Sequence, residues 1–284
     1  MANIAGVVRR KVTNWAVKVV RKDGTQASKP DVLVTEEPLE IRVESPFQTV
    51  QPVAVTMRTP GHDFELAVGF LFTEGMIKNS DDVHTVRYCQ LPDSAEQQFN
   101  VVTVSLKVQF DEALSRRGMV TSASCGICGT TSIEQLAQTV SRIESGVGPV
   151  MTSQMLISLP EIIREMQPTF DRTGGLHAAG LVDAQGAAFC VREDIGRHNA
   201  VDKVIGKAVL ENKIPISSHA LVVSGRLSFE IIQKAAMAGI SFIASVGAPS
   251  SLAVETAEDL GITLVGFVRD GTANIYTHTH RIAN

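Results

Sequence analysis

Cysteine is scarce in this chain, four residues among 284, and that scarcity excludes a disulfide framework as the source of stability. No stretch approaches the roughly 20 apolar residues of a membrane-spanning helix, so no membrane insertion is expected. A charge excess is missing as well: 26 Lys+Arg against 30 Asp+Glu leave a formal net charge of −4. That balance argues against a general binder of nucleic acid or anionic membranes, while leaving room for a local basic pocket. The segment from Met1 to Lys11 is positive but has no apolar core or cleavage pattern behind it, so a secretory signal is not expected and a reducing cytoplasm is. Neither a P-loop nor a GxGxxG fingerprint occurs, which disfavours an ordinary ATPase or dehydrogenase. What is present is an ordinary globular composition, 44% apolar and 20% charged, in a length that supports one large domain or two lobes.

Periodicity divides the chain into two halves. In the first, Leu39–Val43 and Val102–Val108 alternate apolar and polar residues as strands do. Between them Thr59-Pro60 reads as an N-cap with proline at the first helical position, followed by the stripe Phe64, Ala67, Val68, Leu71 and a stop at Gly75. This half is expected to be an α+β lobe over residues 1–122. In the second half the apolar runs 220–223, 241–246 and 262–267 are separated by helical stretches 228–238 and 251–260, the pattern of a parallel sheet covered on its faces. The fold class is therefore α/β, with a C-terminal lobe over 132–284 and a linker candidate at Ser145–Pro149.

Between the lobes, at 123–131, lies the most informative segment, Ser124-Cys125-Gly126-Ile127-Cys128-Gly129-Thr130-Thr131. Two thiols one turn apart among glycines and hydroxyls fit dithiol/disulfide exchange, half of a metal site, or carriage of sulfur as a persulfide. A helix is predicted directly after it, on Ile133, Leu136, Val140 and Ile143, so Cys128 should sit near a helix N-terminus that favours thiolate. A structural zinc site needs about four ligands, and no second ligand pair has the spacing. Zinc deaminases place proline before their CxxC and use a His-x-Glu segment; here Ser124 precedes Cys125 and no His-x-Glu occurs. The residues alone leave redox and persulfide chemistry both open. Cys89 and Cys190 are expected to be buried, inert thiols.

In an open α/β sheet, ligands bind beyond the carboxyl ends of the strands. Those ends carry Ser224-Gly225-Arg226, Gly247–Ser251 and Arg269-Asp270-Gly271-Thr272, which offer close backbone approach and two arginines for phosphate. Two histidines stand out beside them: His177 among small residues, and His198 in Glu193-Asp194-Ile195-Gly196-Arg197-His198 at a helix start. Each has a structural alternative, as a hydrogen-bonded core histidine or a capping partner.

Taken in order, Cys125-Gly-Ile-Cys128-Gly, Thr173-Gly-Gly-Leu-His177-Ala-Ala, Glu193 to Lys203, Ser228 to Lys234 and Leu264 to His278 resemble the FdhD/NarQ family of formate dehydrogenase accessory sulfurtransferases, from about Glu36 to the C-terminus. The resemblance implies a cytoplasmic, homodimeric sulfur carrier with a cytidine deaminase-like, three-layer α/β fold. It implies that a cysteine desulfurase loads sulfur onto Cys125, that Cys128 assists, and that the sulfur passes to a molybdenum cofactor destined for formate dehydrogenase. That cofactor is the bis(molybdopterin guanine dinucleotide) form, so a guanine nucleotide should serve as a partial mimic. The stretch Phe267-Val268-Arg269-Asp270-Gly271-Thr272 matches the family's cofactor-binding segment, with Ser224, Arg226, His177, Arg197 and His198 expected around it. Where the family commonly has a second basic residue this chain has Thr272, and Asp270 adds an acid, so one phosphate contact is expected to be either weakened or replaced by Arg226 or Arg197. No resident metal is expected.

Overall fold

The structure, a computed structural model, describes residues 10–89, 99–111, 140 and 142–283. The chain opens with an antiparallel ribbon of β1 (Val12–Val20) and β2 (Gln26–Val34). A four-stranded sheet follows, in the order β4-β3-β6-β5, from β3 (Glu37–Glu44), β4 (Gln51–Arg58), β5 (Val83–Tyr88) and β6 (Val101–Leu106). Helix α1 (Asp63–Thr73) lies between β4 and β5. It begins three residues later than an N-cap at Thr59 predicts, with His62 at the cap position. Gly61 and His62 both take positive φ and make a turn, and Thr59 is occupied elsewhere: its N–H donates to Asp194 at 3.2 Å and its hydroxyl accepts from Ile195 N–H. The stop at Gly75 is as expected, with φ 73°. Strand β6 does not alternate, since all six residues are buried, and Val108 lies exposed beyond its end.

The second half holds the short strand β7 (Met151–Thr152), α2 (Ser153–Arg164), α3 (Pro168–Thr173), β8 (His177–Asp183), β9 (Ala188–Asp194) and α4 (Arg197–Leu210). Then come β10 (His219–Val223), α5 (Phe229–Met237), β11 (Phe242–Ser245), α6 (Ser251–Leu260), β12 (Thr263–Arg269), β13 (Thr272–Thr277) and β14 (Ile282–Ala283), the last paired with β7. The main sheet runs β13-β12-β11-β10-β8-β9. Its centre, β10-β11-β12, is parallel as the apolar runs predict. Its flanks are antiparallel, because β8–β9 and β12–β13 are hairpins rather than crossover units.

Alternate residues of the central strands feed two cores. Ala178, Val182, Ala220, Val222, Phe242, Ala244 and Val265 pack with Leu156, Leu159 and Ile163 of α2. Ala179, Leu181, Leu221, Val223, Ile243 and Leu264 face the other way, toward α4, α5 and α6. Three layers result. The second core runs on without a break into Leu39, Ile41, Leu66, Leu71, Val102 and Val104 of the first lobe. The closest approach between the lobes is α1 against α4. A Cβ on Gly69 would lie 1.9 Å from the Asp202 carbonyl oxygen, and one on Gly206 would lie 1.8 Å from that of Glu65.

Two buried ion pairs tie the lobes together. Lys203 Nζ lies 2.6 Å from Asp194, both almost fully buried, and it also donates to the carbonyls of Thr59 and Glu193. Lys234 Nζ meets Asp202 at 3.0 Å, Glu74 at 3.1 Å and the Thr73 hydroxyl at 2.9 Å. Such pairs contribute little net stability when intact, but losing one partner strands a charge at a cost of about 3–5 kcal/mol.

Candidate functional site at one edge of the main sheet

Because β10, β11 and β12 run parallel, their carboxyl ends share one edge of the sheet. Antiparallel β8 begins at that edge and β9 ends there, so His177 and Asp194 are register partners beside the loop after β10. The floor is backbone packed on backbone. Leu227 bridges Pro249, Leu227 N–H donates to the Ala248 carbonyl at 3.0 Å, and Ser250 N–H returns a bond to Leu227 at 2.9 Å. The Ser245 hydroxyl donates to the Gly225 carbonyl and accepts from Gly247 N–H. At Gly247 a Cβ would stand 2.7 Å from the Gly225 carbonyl oxygen, so glycine is required there for close approach. Ser224 closes the end of β10: its hydroxyl accepts from Ala178 N–H at 2.8 Å, and its own N–H donates to the Ala178 carbonyl.

The polar groups at this mouth come from four elements. His177 packs over Gly225, with Nδ1 3.2 Å from where a Cβ would sit, next to Cβ of Arg197. Burial first, then the charge of Arg197, holds the His177 imidazole below its ordinary range. His198 is pushed down to about 4, by burial and then by Arg197 and Lys234. Both rings are therefore neutral at pH 7. The Arg197 Nε is buried without a hydrogen-bond partner. Arg226 is exposed, and neither it nor Arg197 forms an ion pair among the described residues. Arg269, also exposed, places its guanidinium 5.3 Å from the centre of the Phe267 ring. Among the described residues these three arginines form no direct ion pair, which makes the edge attractive to anions.

The segment 267–272 is a hairpin turn, not a loop that opens a helix. Asp270 (φ 54°) and Gly271 (φ 71°) form its two-residue tip between Arg269 and Thr272. Phe267 takes φ 53° at a bulge and donates its N–H to the Gly247 carbonyl at 3.1 Å, which seats the hairpin on the mouth floor. The Val268 side chain is fully buried in the α2-facing core, so only its backbone can meet a ligand. Phe267, Arg269, Ser224, Arg226, His177, Arg197 and His198 are thus brought to one edge, with Asp270, Gly271 and Thr272 at its rim. Cys125, Cys128 and the predicted helix start after them lie outside the described residues.

Of the segment Glu193–Lys203, only Arg197 and His198 face the mouth. Glu193 accepts from Thr169 and Phe170 N–H at the start of α3, and Asp194 and Lys203 form the buried pair described above. Ser228 and Glu230 are site residues that the sequence reading passed over. Ser228 is the N-cap residue of α5, yet its hydroxyl does not cap the helix. The equivalent Ser250 does cap α6, accepting from Ala253 N–H at 3.2 Å. A serine cap supplies about 1 kcal/mol; Ser228 forgoes it and lies 3.3 Å from His198 Nε2 instead. Glu230 comes within 4.0 Å of the same nitrogen. Burial works to raise the Glu230 carboxyl, but the neighbouring Ser228 hydroxyl and its own N–H, with Arg197 among the nearby charges, outweigh it and hold it below its ordinary range.

Cys190 is buried as expected, and burial pushes its thiol up to about 12. Cys89 differs: it is only half-buried, just past the end of β5 where the pairing with β6 finishes. Among the described residues no group of three or more His, Cys, Asp or Glu is arranged to hold a metal ion, and no helix is long and apolar enough to cross a membrane. A cavity of about 470 Å³ lined by Arg142, His278 and His280 opens at the opposite edge of the sheet, where β12 begins.

Comparison with known proteins follows the same outline. The model of the FdhD/NarQ family matches residues 34–283. Proteins named sulfur carrier protein FdhD are similar over most of the chain. That of Mycobacterium tuberculosis is 48% identical over 262 residues, 90% of this chain and 93% of its own length. That of Streptomyces avermitilis is 45% identical over 271 residues, 94% of each, and that of Saccharolobus solfataricus is 40% identical over 261 residues, 92% and 95%. The crystal structure of a formate dehydrogenase accessory protein from Desulfotalea psychrophila shares the fold, with a TM-score of 0.74 over 96% of this chain and 100% of that one at 23% identity. The α/β architecture, the span of the match and the level of identity agree, and the chain belongs to the FdhD/NarQ family.

Proposed function

We propose that this chain carries sulfur to the molybdenum cofactor that serves formate dehydrogenase. The observation that carries the reading is its similarity, over nearly the whole length, to proteins named sulfur carriers. In this reading the Cys125 thiolate attacks the terminal sulfur of a cysteine persulfide on a desulfurase. A new S–S bond forms at Cys125, the donor's S–S bond breaks, and the donor cysteine leaves as thiolate. For delivery, the Cys128 thiolate attacks Cys125 Sγ. The terminal sulfur departs as hydrosulfide to the metal, the two cysteines are left as a disulfide, and a cellular dithiol reduces it for the next round.

The mouth supplies what the cargo needs. The bis(molybdopterin guanine dinucleotide) cofactor is polyanionic, and Arg197, Arg226 and Arg269, which form no ion pair among the described residues, stand around glycine-lined backbone. His177, His198, Ser224 and the segment Phe267–Thr272 complete the proposed contact surface. Delivery in this reading requires the Cys125 persulfide to meet the cofactor at this mouth, supplied by the same chain or by the partner in a cytoplasmic homodimer, because an unprotected persulfide would be lost to free thiols.

The deciding experiment is the intact mass of the CxxC peptide, isolated without reductant after incubation with a cysteine desulfurase and cysteine. One added sulfur, absent in Cys125→Ala, is expected, and Cys125→Ala should abolish formate dehydrogenase maturation. Disulfide-reductase turnover with no sulfur uptake would replace this reading with a dithiol oxidoreductase; zinc bound stoichiometrically through dialysis would replace it with a metal site.

A further inference from the structure

Beneath the mouth floor, one buried hydroxyl ties two loops together. Ser245 ends β11 and is fully buried. Gly247 N–H donates to its Oγ at 2.9 Å, and the hydroxyl proton goes to the Gly225 carbonyl, which can only accept. This relay of one polarity crosses from the loop after β11 to the loop after β10. Its end point has a consequence for Arg226. The Gly225–Arg226 peptide is trans, so its C=O and its N–H point in opposite directions. With the carbonyl held inward on Ser245, the Arg226 N–H is turned away from Ser245. Gly225 is buried and Arg226 is exposed, so that N–H is directed to the open side of the loop. It has no hydrogen-bond partner among the described residues. Hydrogen bonds in series polarise one another, so a carbonyl that already accepts makes the N–H of its own peptide a stronger donor.

We propose that Ser245 is a positioning residue: it fixes the Gly225–Arg226 peptide so that the Arg226 N–H, together with the Arg226 guanidinium, receives the pyrophosphate of a nucleotide ligand. A main-chain donor and a guanidinium on one exposed residue, in a loop whose glycine lets a ligand come close, suit that anion. The assignment rests on the reading of the mouth as the cofactor site and names the atoms that meet the ligand's phosphates. It also gives a further reason for glycine at 247. A Cβ there would stand 2.7 Å from the Gly225 carbonyl oxygen and 3.0 Å from Arg226 N, and it would force apart the two loops that the relay joins.

The test uses the full-length protein with inorganic pyrophosphate, GDP and guanosine as probes. In 1H–15N correlation spectra the Arg226 amide proton should move downfield as pyrophosphate or GDP is added to the wild type, as a donor engaged by an anion does. Calorimetry should show Ser245→Ala binding pyrophosphate and GDP about tenfold more weakly, the scale of one hydrogen bond to a charged group. Guanosine, which has no phosphate, should bind Ser245→Ala as it binds the wild type. Circular dichroism guards the variant against loss of fold. Guanosine weakened as much as GDP would mean a mouth distorted as a whole, and it overturns the positioning role. An Arg226 amide that stays put while GDP saturates the wild type overturns the assignment without any variant and leaves the mouth a nucleotide site. Pyrophosphate and GDP bound equally by wild type and Ser245→Ala overturn it in the same way. A wild type that binds neither GDP nor pyrophosphate overturns the cofactor reading of the mouth together with the role of Ser245.

Discussion

Gly206→Ala isolates the contact that joins the two lobes. On helix propensity alone the change should help, since alanine is favoured over glycine in a helix interior by about 1 kcal/mol. Space says the opposite. The new Cβ would lie 1.8 Å from the Glu65 carbonyl oxygen and 2.7 Å from Gly69 N, where ordinary contact begins at 3.4 Å. The gap is short by about 1.6 Å, and both sides are helix backbone, so no side chain can swing away. Helices α1 and α4 must separate, loosening Leu66, Ala67, Val201 and Ile205 in one shared core. Overpacking of this kind costs about 1–3 kcal/mol, and a radial gap of even about 1 Å forfeits up to roughly half of each dispersion contact. We expect a net loss of at least about 2 kcal/mol, which lowers the urea midpoint by on the order of 0.5–1 M. Far-ultraviolet circular dichroism is the suitable probe, because the single tryptophan, Trp15, is 61% exposed on the N-terminal ribbon. Gly146→Ala is the control: nothing lies within 4 Å of its Cβ position, and its effect should stay within about 0.5 kcal/mol. A Gly206→Ala midpoint at or above wild type would refute the steric reasoning and leave propensity in charge.

Three further outcomes follow from the buried charges and thiols. Lys203→Met should destabilise by about 3–5 kcal/mol by stranding Asp194, and adding Asp194→Asn should recover part of the loss; a neutral Lys203→Met in chemical denaturation would contradict this. Burial acts to raise the Glu65 carboxyl, but Arg192 and then His62 bring it from 4.5 down to about 2. The stability it supplies is complete above pH 4.5 and is lost as pH falls from there toward 2, so Glu65→Gln should show a shallower loss over that window, and parallel acid-unfolding curves would refute it. Cys190, pushed up to about 12 by burial, should resist iodoacetamide at pH 8 in the folded protein and react once urea is added; labelling at the same rate folded and unfolded would show that the site is open.

Much of the fold was legible in the sequence where local signals suffice. The helices over 229–237 and 251–260 and the strands before and after them stand where the apolar runs and the stops at Gly239 and Gly261 put them. Reading failed at Thr59-Pro60, which looks like a helix start only because its true partners, Asp194 and Ile195, are some 135 positions away. The site was legible to the same degree. His177, Arg197, His198 and the strand-end loops carry local signals of small residues and charge. Ser228 and Glu230 do not, since a serine before an apolar helix reads as a cap, and only the neighbouring His198 shows that it has been diverted.

By itself the sequence determined the α/β class, the parallel centre of the main sheet and the thiol pair at Cys125 and Cys128, because periodicity, caps and short motifs act over a few residues. Tertiary structure decided which charges are structural and which are free. Asp194 and Lys203 vanish into a buried pair, while Arg197 in the same segment forms no ion pair among the described residues. It also decided that antiparallel β8 delivers His177 to the carboxyl edge of the parallel strands. Strand direction and burial are set by pairings across the whole chain, and no local pattern encodes them.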